Sequence, residues 1–173
     1  MTVKIQPLTQ EDLGILWELS THHTEWKKFD APYFEDGDFS KNAFLETFRL
    51  AAEHERWKGI WIDGVLSGLV SYYFDDGRLK RWIEMGIVIY DERLWSRGYG
   101  REALKLWTTE LFERFDLPRL GLTTWSGNPR MVRAARKVGF QLEGQIRKVR
   151  FWQGEYYDSV RLGVLREEWF SRD

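Results

Sequence analysis

Cysteine is absent from the 173-residue chain, which excludes a disulfide framework, a zinc–thiolate site and a cysteine nucleophile. Proline is scarce, with 4 residues, and no segment approaches the roughly 20 consecutive apolar residues of a membrane span. The opening residues, MTVKIQP, also lack the apolar run of a signal peptide. We therefore expect a soluble, cytoplasmic protein with no membrane partner.

Aromatic residues, by contrast, make up 16% of the chain and include 10 tryptophans. This supply of large apolar side chains favours a packed core over disorder. A chain of 173 residues has the length of one ordinary domain. We therefore expect a single domain over residues 1–173.

Charge is unevenly distributed, although the net formal charge is only −1. Residues 93–150 contain 13 basic and 5 acidic residues, whereas the rest of the chain contains 13 basic and 22 acidic residues. An anion that carries phosphate suits the first region, and an amine suits the second. Solvated helix faces explain most of the individual charges.

The first third of the chain predicts a strand followed by helices. Alternating apolar residues over 3–8 indicate a strand, and Thr9 is a predicted helix cap before an apolar-periodic segment. Residues 21–40 carry turn residues without a period and predict a loop or a broken helix. A further helix is predicted around residues 42–53.

The middle of the chain predicts an antiparallel meander. Asp63-Gly64 joins apolar segments over residues 57–62 and 65–74, which is a strong hairpin signal. A third strand is predicted over residues 82–90.

The remainder alternates between helices and strands. A glycine-rich turn opens a helix whose apolar face comprises Ala103, Leu104, Trp107, Leu111 and Phe115. A strand over 120–125 then leads to a second helix, with Asn128 as its cap and Gly139 at its end. A hairpin of strands over 140–152 and 155–164 follows, and the order of elements predicts an α/β, mixed sheet with helices on its faces.

The glycine-rich turn, Trp-Ser-Arg-Gly-Tyr-Gly over residues 95–100, is a candidate phosphate site. Unpaired N–H groups and the helix dipole attract anions at such a turn, and Gly98 and Gly100 let a ligand approach the backbone. Arg97 and Arg101, with Arg93 nearby, add positive charge. The turn lacks the Lys-Ser/Thr of a P-loop and is too short for the dinucleotide fingerprint. A tight turn without a ligand is the alternative.

In this context the sequence resembles the GNAT superfamily of N-acetyltransferases. The pyrophosphate motif of that superfamily is Gln/Arg-x-x-Gly-x-Gly/Ala, and Trp95 stands where Gln or Arg is usual. The Trp, the following Gly-Tyr and the Glu-Ala-Leu over 102–104 are similar to the branch of ribosomal-protein alanine and spermidine acetyltransferases. The blocks 128–140 and 143–159 agree with it.

The resemblance implies one N-acetyltransferase domain over residues 1–173, with a mixed, mostly antiparallel sheet of about seven strands and helices on both faces. It implies acetyl-CoA as acyl donor, without a metal, and direct transfer to a primary amine in a ternary complex. The implied cofactor-binding residues are Ile87, Val88 and Ile89 of the fourth strand, together with Trp95, Arg97, Gly98, Tyr99, Gly100, Arg101 and Asn128.

For the base that removes the acceptor's proton, the resemblance points to Glu84. Alternatively, this glutamate is a surface residue that forms an ion pair with Lys80 or Arg81. The acid is not identified, because the positions at which relatives often carry Tyr and Ser hold Ala135 and Met131. Water, Ser126 or Tyr157 remain as donors to the leaving thiolate.

The acceptor in this superfamily is set by the early helices and the loop between them, here residues 17–48, together with the final hairpin. Aromatic and acidic residues in that region suit a small or peptidic amine that is cationic before reaction. They are Trp26, Asp30, Tyr33, Phe34, Glu35, Asp36 and Asp38. Packing in the core is the alternative role for the aromatic residues.

Several other interpretations remain. A non-catalytic acyl-CoA sensor is the main rival function, an RNA-binding domain ranks low, and a homodimer is left open. Arg130, Arg133, Arg136 and Lys137 indicate a solvated helix face, from which one or two could reach the cofactor's 3′-phosphate. The spacing of His22, His23 and His54 does not indicate a metal site.

Overall fold

The computed structural model describes residues 2–34 and 40–171. The strands are β1 (Val3–Gln6), β2 (Trp57–Ile62), β3 (Val65–Phe74), β4 (Ile83–Ile89), β5 (Arg119–Trp125), β6 (Gln141–Trp152) and β7 (Glu155–Leu165). The helices are α1 (Gln10–His22), α2 (Lys41–Glu53), α3 (Tyr99–Arg114), α4 (Pro129–Val138) and α5 (Arg166–Phe170). Short 3-10 helices cover Glu25–Lys28, Gly77–Leu79 and Glu92–Leu94.

The strands form one seven-stranded sheet in the order β1-β2-β3-β4-β5-β7-β6. The pairs β1/β2, β2/β3, β5/β7 and β6/β7 are antiparallel, whereas β4/β5 is parallel. Between β3 and β4, the bonds from Asp75 N–H to Trp82 O and from Tyr90 N–H to Ser67 O follow an antiparallel register. The predicted mixed, mostly antiparallel sheet and the meander are confirmed.

Two helices start at the predicted caps, Thr9 and Asn128, whereas the cap of α2 was not predicted. Thr9 and Asp12 form a reciprocal capping box at α1, and Ser40 caps α2 through a hydrogen bond from the Ala43 N–H group. Asn128 caps α4, which ends at Gly139 with φ 113°. These ends were predictable because the cap and the bonded N–H group lie within three residues of each other.

The chain divides into two compact units, and β3, β4 and α3 contribute residues to both. The first comprises Met1–Ser71 and Ile87–Ala103, and the second comprises Tyr72–Gly86 and Leu104–Asp173. Leu13, Leu16, Phe44, Phe48, Leu66, Leu69 and Tyr90 form the core of the first unit. The largest fully buried side chains of the second are Trp107, Trp125 and Phe112. The expectation of a single domain stays a prediction.

The stretch predicted as loop or broken helix contains the end of α1 and the 3-10 helix Glu25–Lys28, which agrees with that prediction over the residues described. Two other local features differ from the expectation. Phe115 lies one residue beyond α3, and the short helix α5 was not predicted. The guanidinium of Arg166, at the start of α5, donates to the carbonyls of Phe112, Phe115 and Leu117 near the end of α3, a contact that the sequence does not display. No helix among the residues described is long and apolar enough to cross a bilayer.

Candidate active site

Residues 95–101, hereafter the phosphate loop, lead into α3 and include its first residues, and two of them have positive φ. These are Ser96 at 62° and Gly98 at 92°. The Glu102 N–H group bonds the Gly98 carbonyl at 3.1 Å and closes the first turn of α3. The N–H groups that precede Glu102 therefore point out of the helix N-terminus without an acceptor inside the helix, and they make this end electropositive.

The two glycines of the phosphate loop differ in what the fold demands of them. Position 98 requires glycine, because a φ of 92° is unfavourable for residues with a side chain. Gly100 has no such conformation, and a Cβ added there would lie 3.9 Å from Ile89 Cδ1, an ordinary contact. The fold alone therefore does not require glycine at position 100.

Trp95 fastens the phosphate loop to the end of β4. Its indole Nε1–H donates to the Ile89 carbonyl at 2.8 Å, and the Phe29 ring meets its ring edge-on at 5.7 Å. The Trp that departs from the usual motif thus anchors the loop through its side chain. It also occupies the Ile89 carbonyl, one of the backbone groups predicted to hold the cofactor.

The arginines near the phosphate loop have different surroundings. The Arg93 guanidinium bonds both carboxylate oxygens of Asp91 at 2.7–3.1 Å, and this pairing lowers the pKa of Asp91. Arg93 is therefore neutralised by its neighbour, contrary to the expectation that it adds charge to the site. Arg97 and Arg101 are exposed, and no carboxylate of the residues described pairs with either.

Residues 87–89 of β4 run close to β3 because β3 has a glycine there. A Cβ on Gly68 would lie 2.0 Å from the carbonyl oxygen of Val88, a backbone atom. Ile87 and Val88 are half-buried, and Ile89 is buried. Gly68 therefore sets the path of the segment that was predicted to bind the pantetheine arm.

We expect Gly68→Ala to lower the free energy of unfolding by at least about 3 kcal/mol, because backbone must move to admit the methyl group. Gly144→Ala is the matched control, since that strand glycine has nothing within 4 Å of an added Cβ. Urea unfolding of both variants measures the difference, and equal stabilities would contradict this account of Gly68.

Glu84, the predicted base, is buried with 1% of its surface exposed. Its Oε1 accepts hydrogen bonds from Trp82 Nε1 at 2.7 Å and from Arg119 Nη1 at 3.2 Å, and its Oε2 accepts one from Thr123 Oγ1 at 3.0 Å. The alternative of a surface residue paired with Lys80 or Arg81 is wrong. The true partner lies 35 residues away, on β5.

Asn128 performs its predicted structural role. Its Oδ1 accepts a hydrogen bond from the Met131 N–H group at 3.2 Å, and Pro129 takes the first position of α4. Contact of Asn128 with the cofactor is compatible with capping and stays a prediction.

The family is decided by comparison with known proteins. A family model described as an acetyltransferase (GNAT) domain matches residues 2–141, well over half of the chain. The chain belongs to the GNAT acetyltransferase family. This finding confirms the resemblance, and the chain is accordingly an enzyme of the acetyltransferase class.

Two curated relatives of this GNAT acetyltransferase fall in the predicted branch. Spermidine N(1)-acetyltransferase of Escherichia coli (strain K12) is 27% identical over 176 residues, which cover 98% of this chain and 89% of the relative. The putative ribosomal N-acetyltransferase YdaF of Bacillus subtilis (strain 168) is 29% identical over 111 residues, which cover 64% and 60%.

A solved structure shows the same fold. The crystal structure of spermidine N-acetyltransferase from Vibrio cholerae in complex with CoA and spermine superposes with a TM-score of 0.78 at 19% identity, covering 97% of this chain and 98% of that one. The predicted GNAT fold is thereby confirmed.

The two candidate acids of this GNAT acetyltransferase have partners of their own. Ser126 is exposed, and its Oγ accepts a hydrogen bond from the Asp158 N–H group at 2.9 Å. The Tyr157 hydroxyl donates to Glu155 Oε2 at 3.2 Å, and burial together with this carboxylate raises the pKa of Tyr157. Ala135, at the position of the frequent Tyr, is fully buried.

Of the acidic residues singled out for the acceptor, Asp30 is described, and it lies near aromatic rings. Trp26 meets Tyr90 edge-on at 5.2 Å, and the Asp30 N–H group bonds the Trp26 carbonyl at 3.2 Å. Tyr33 and Phe34 lie in the turn that follows, with ring centroids 4.9 Å apart. The predicted acidic residues Glu35, Asp36 and Asp38 fall outside the residues described.

His23 has acidic partners that its sequence position does not reveal. Its Nδ1 lies 3.2 Å from Glu92 Oε2 and 3.9 Å from Asp91 Oδ1. These groups lie close enough together to surround a cation, but the guanidinium of Arg93 already occupies Asp91. The cluster therefore acts as a contact between the end of α1 and the turn after β4.

The polar face of α4 is solvated, as predicted. Arg133, Arg136 and Lys137 are exposed, whereas Arg130 is half-buried. Burial lowers the pKa of Arg130, and the neighbouring positive charge of Arg133 lowers it further. Contact of these residues with a cofactor phosphate stays a prediction.

Proposed function

We propose that this GNAT acetyltransferase transfers the acetyl group of acetyl-CoA to a cationic primary amine of the polyamine class. The observation that carries the proposal is the phosphate loop. The fold does not require glycine at position 100, and the exposed side chains of Arg97 and Arg101 lie beside an electropositive helix end. The relative that spans 98% of this chain is a spermidine N(1)-acetyltransferase, which supports the acceptor class.

Residues on β4 and in the phosphate loop are proposed to hold the donor. N–H groups of Gly98, Tyr99 and Gly100 bind the pyrophosphate, with the guanidinium groups of Arg97 and Arg101 beside them. Backbone groups of Ile87 and Val88 bind the pantetheine arm, and Asn128 contributes its side chain. Bound acetyl-CoA would supply the thioester, and the thiolate of CoA would be the leaving group. No metal is part of this proposal.

Glu84 is proposed to take the proton of the acceptor's ammonium group, directly or through one water. A carboxylate offers about four acceptor positions, of which three are filled here, and the remaining one is on Oε2. The neutral nitrogen then attacks the thioester carbonyl, the C–S bond breaks, and the nitrogen releases its second proton to water. The thiolate receives a proton from water, Ser126 or Tyr157. Transfer is direct, with both substrates bound.

Asp30 is proposed to receive the positive charge of the acceptor. The residue is exposed and therefore accessible to a ligand, and desolvation raises the pKa of its carboxyl. Tyr90 is 2% exposed, and its pKa is raised by burial and then by the charge of Asp30. The Asp30 carboxylate provides ionic attraction for an ammonium group, and the half-buried ring of Trp26, in the same segment, provides a surface for cation–π attraction.

We expect Asp30→Asn to raise the KM for spermidine by about tenfold, because one charge-assisted hydrogen bond is lost. Steady-state kinetics at saturating acetyl-CoA measures this change. Glu25→Gln is the matched control, since that carboxylate belongs to the same loop but pairs with Lys28 at 2.7 Å. An Asp30→Asn enzyme with the wild-type KM would contradict this role for Asp30.

An acceptor panel tests the proposed function. The enzyme is incubated with labelled acetyl-CoA and, separately, with spermidine, spermine, an aminoglycoside and a peptide with a free N-terminus, and products are identified by mass spectrometry. We expect acetylated polyamine at the highest kcat/KM. A preference for the peptide would contradict the acceptor class. Tight CoA binding without any acetylated amine would instead support the rival function of a non-catalytic sensor.

A further inference from the structure

The arginine that holds Glu84 is itself held by a second carboxylate. Arg119 directs Nη1 to Glu84, and it directs Nε and Nη2 to Glu143 at 2.5–3.1 Å. The opposing partners fix the fork of the guanidinium in one orientation. Exposure increases along this chain of groups, from 1% at the Glu84 side chain to 24% at Arg119 and 36% at Glu143.

Two glycines in register make the room for these side chains. Glu84 pairs with Gly121 across β4 and β5, and Gly121 pairs with Gly163 across β5 and β7. A Cβ on Gly121 would lie 2.4–2.5 Å from Arg119 and Glu84 atoms, and one on Gly163 would lie 2.3–2.4 Å from the Glu143 carboxylate. The space above both glycines is therefore filled by the three charged groups.

A β-bulge at Glu143 directs its side chain into the space above Gly163. The register between β6 and β7 shifts between Leu142 and Gly144, which leaves Glu143 as the extra residue. Glycines on two strands and a bulge on a third therefore all make room for, or orient, the same three charged side chains. An ion pair on the protein surface needs neither the space nor the bulge.

The arrangement makes the two oxygens of Glu84 unequal. Arg119 and Trp82 both donate to Oε1, whereas Thr123 alone donates to Oε2. We propose that Arg119 is a positioning residue for catalysis, which blocks Oε1 and presents Oε2 to the acceptor's proton, with Glu143 fixing Arg119. This inference rests on the proposed role of Glu84 as base.

Arg161 provides a matched control for Arg119. Its guanidinium lies 5.7 Å from the centroid of the Trp82 ring, as that of Arg119 does at 5.8 Å. Arg161 pairs with Asp75 at 3.7 Å, and it forms no hydrogen bond with Glu84 within the described part of the chain. Arg161→Lys changes a guanidinium on Trp82 without touching the base.

The test compares Arg119→Lys, Arg119→Gln and Arg161→Lys by kcat, KM and the pH dependence of kcat/KM. We expect kcat to fall at least tenfold in both Arg119 variants, with a smaller loss in Arg119→Lys, while the KM for acetyl-CoA is unchanged. The pH dependence of kcat/KM is expected to differ from that of the wild type in Arg119→Gln, because the variant lacks the positive charge beside Glu84. Arg161→Lys is expected to keep the wild-type profile.

Glu84→Gln separates failure of this inference from failure of the proposed base. If Glu84→Gln is nearly inactive while both Arg119 variants keep the wild-type kcat and pH profile, Arg119 has no positioning role. If Glu84→Gln keeps full activity, both the base and its positioning residue are wrong. Should Arg119→Gln fail to fold, Arg119→Lys and Glu143→Gln give the same comparison, since each perturbs the orientation of the fork.

Discussion

Gly100→Ala is expected to raise the dissociation constant of CoA by about 10- to 100-fold. The added methyl group would stand where the pyrophosphate approaches the backbone, which removes one charge-assisted hydrogen bond worth about 1.5–3 kcal/mol. The fold accommodates the same methyl group, because its nearest neighbour would be Ile89 Cδ1 at 3.9 Å. Isothermal titration calorimetry with CoA measures the loss, and thermal unfolding shows that stability is retained.

Gly14→Ala is the control for this substitution. Gly14 also lies in a helix, and nothing would come within 4 Å of its added Cβ. This change should stabilise the protein by roughly 0.5–1 kcal/mol, through helix propensity, and leave CoA affinity unchanged. Wild-type CoA affinity in Gly100→Ala would show that the donor does not bind at the phosphate loop.

Glu84→Gln is expected to lower kcat by about 10²- to 10⁴-fold, the range of general acid–base catalysis. The amide cannot accept the acceptor's proton, so the acidic limb of the kcat/KM profile should also disappear. A stability loss is expected as well, because Arg119 loses one of its two carboxylates. The variant therefore has to be assayed well below its unfolding temperature.

An unchanged CoA dissociation constant is the control that the Glu84→Gln enzyme remains folded. Rates at a pH at which the acceptor is largely neutral provide a second readout, since an amine that has already lost its proton needs no base. Partial recovery of kcat at high pH would support the proposed role of Glu84. A uniform loss of kcat at every pH would contradict it and would leave Glu84 as a structural residue only.

The features that the sequence predicted well depend on contacts between near neighbours in the chain. Thr9 and Asn128 cap helices through N–H groups three residues ahead, and Asp63-Gly64 closes the hairpin between β2 and β3. The phosphate loop was recognisable for the same reason. Its glycines and the helix that they open form one continuous segment.

The surroundings of Glu84 could not be predicted, because they depend on which strands become neighbours. Nearby Lys80 and Arg81 were the natural candidates for its partner, but the parallel register of β4 and β5 brings Arg119 to it instead. Glu143 reaches Arg119 from β6 because β7 lies between β5 and β6 and both strands pair with it. Glycines at 121 and 163 were the available signal, but one sequence does not show that they face each other.

A single-turnover experiment tests most directly whether the enzyme transfers acetyl from acetyl-CoA to a polyamine while both are bound. Enzyme in excess over labelled acetyl-CoA is mixed with spermidine, and the quenched mixture is analysed for CoA, acetylated amine and the intact mass of the protein. We expect acetylspermidine and CoA in equal amounts, with no acetyl group on the protein. Acetylated protein before product, or CoA release without acetylated amine, would contradict direct transfer.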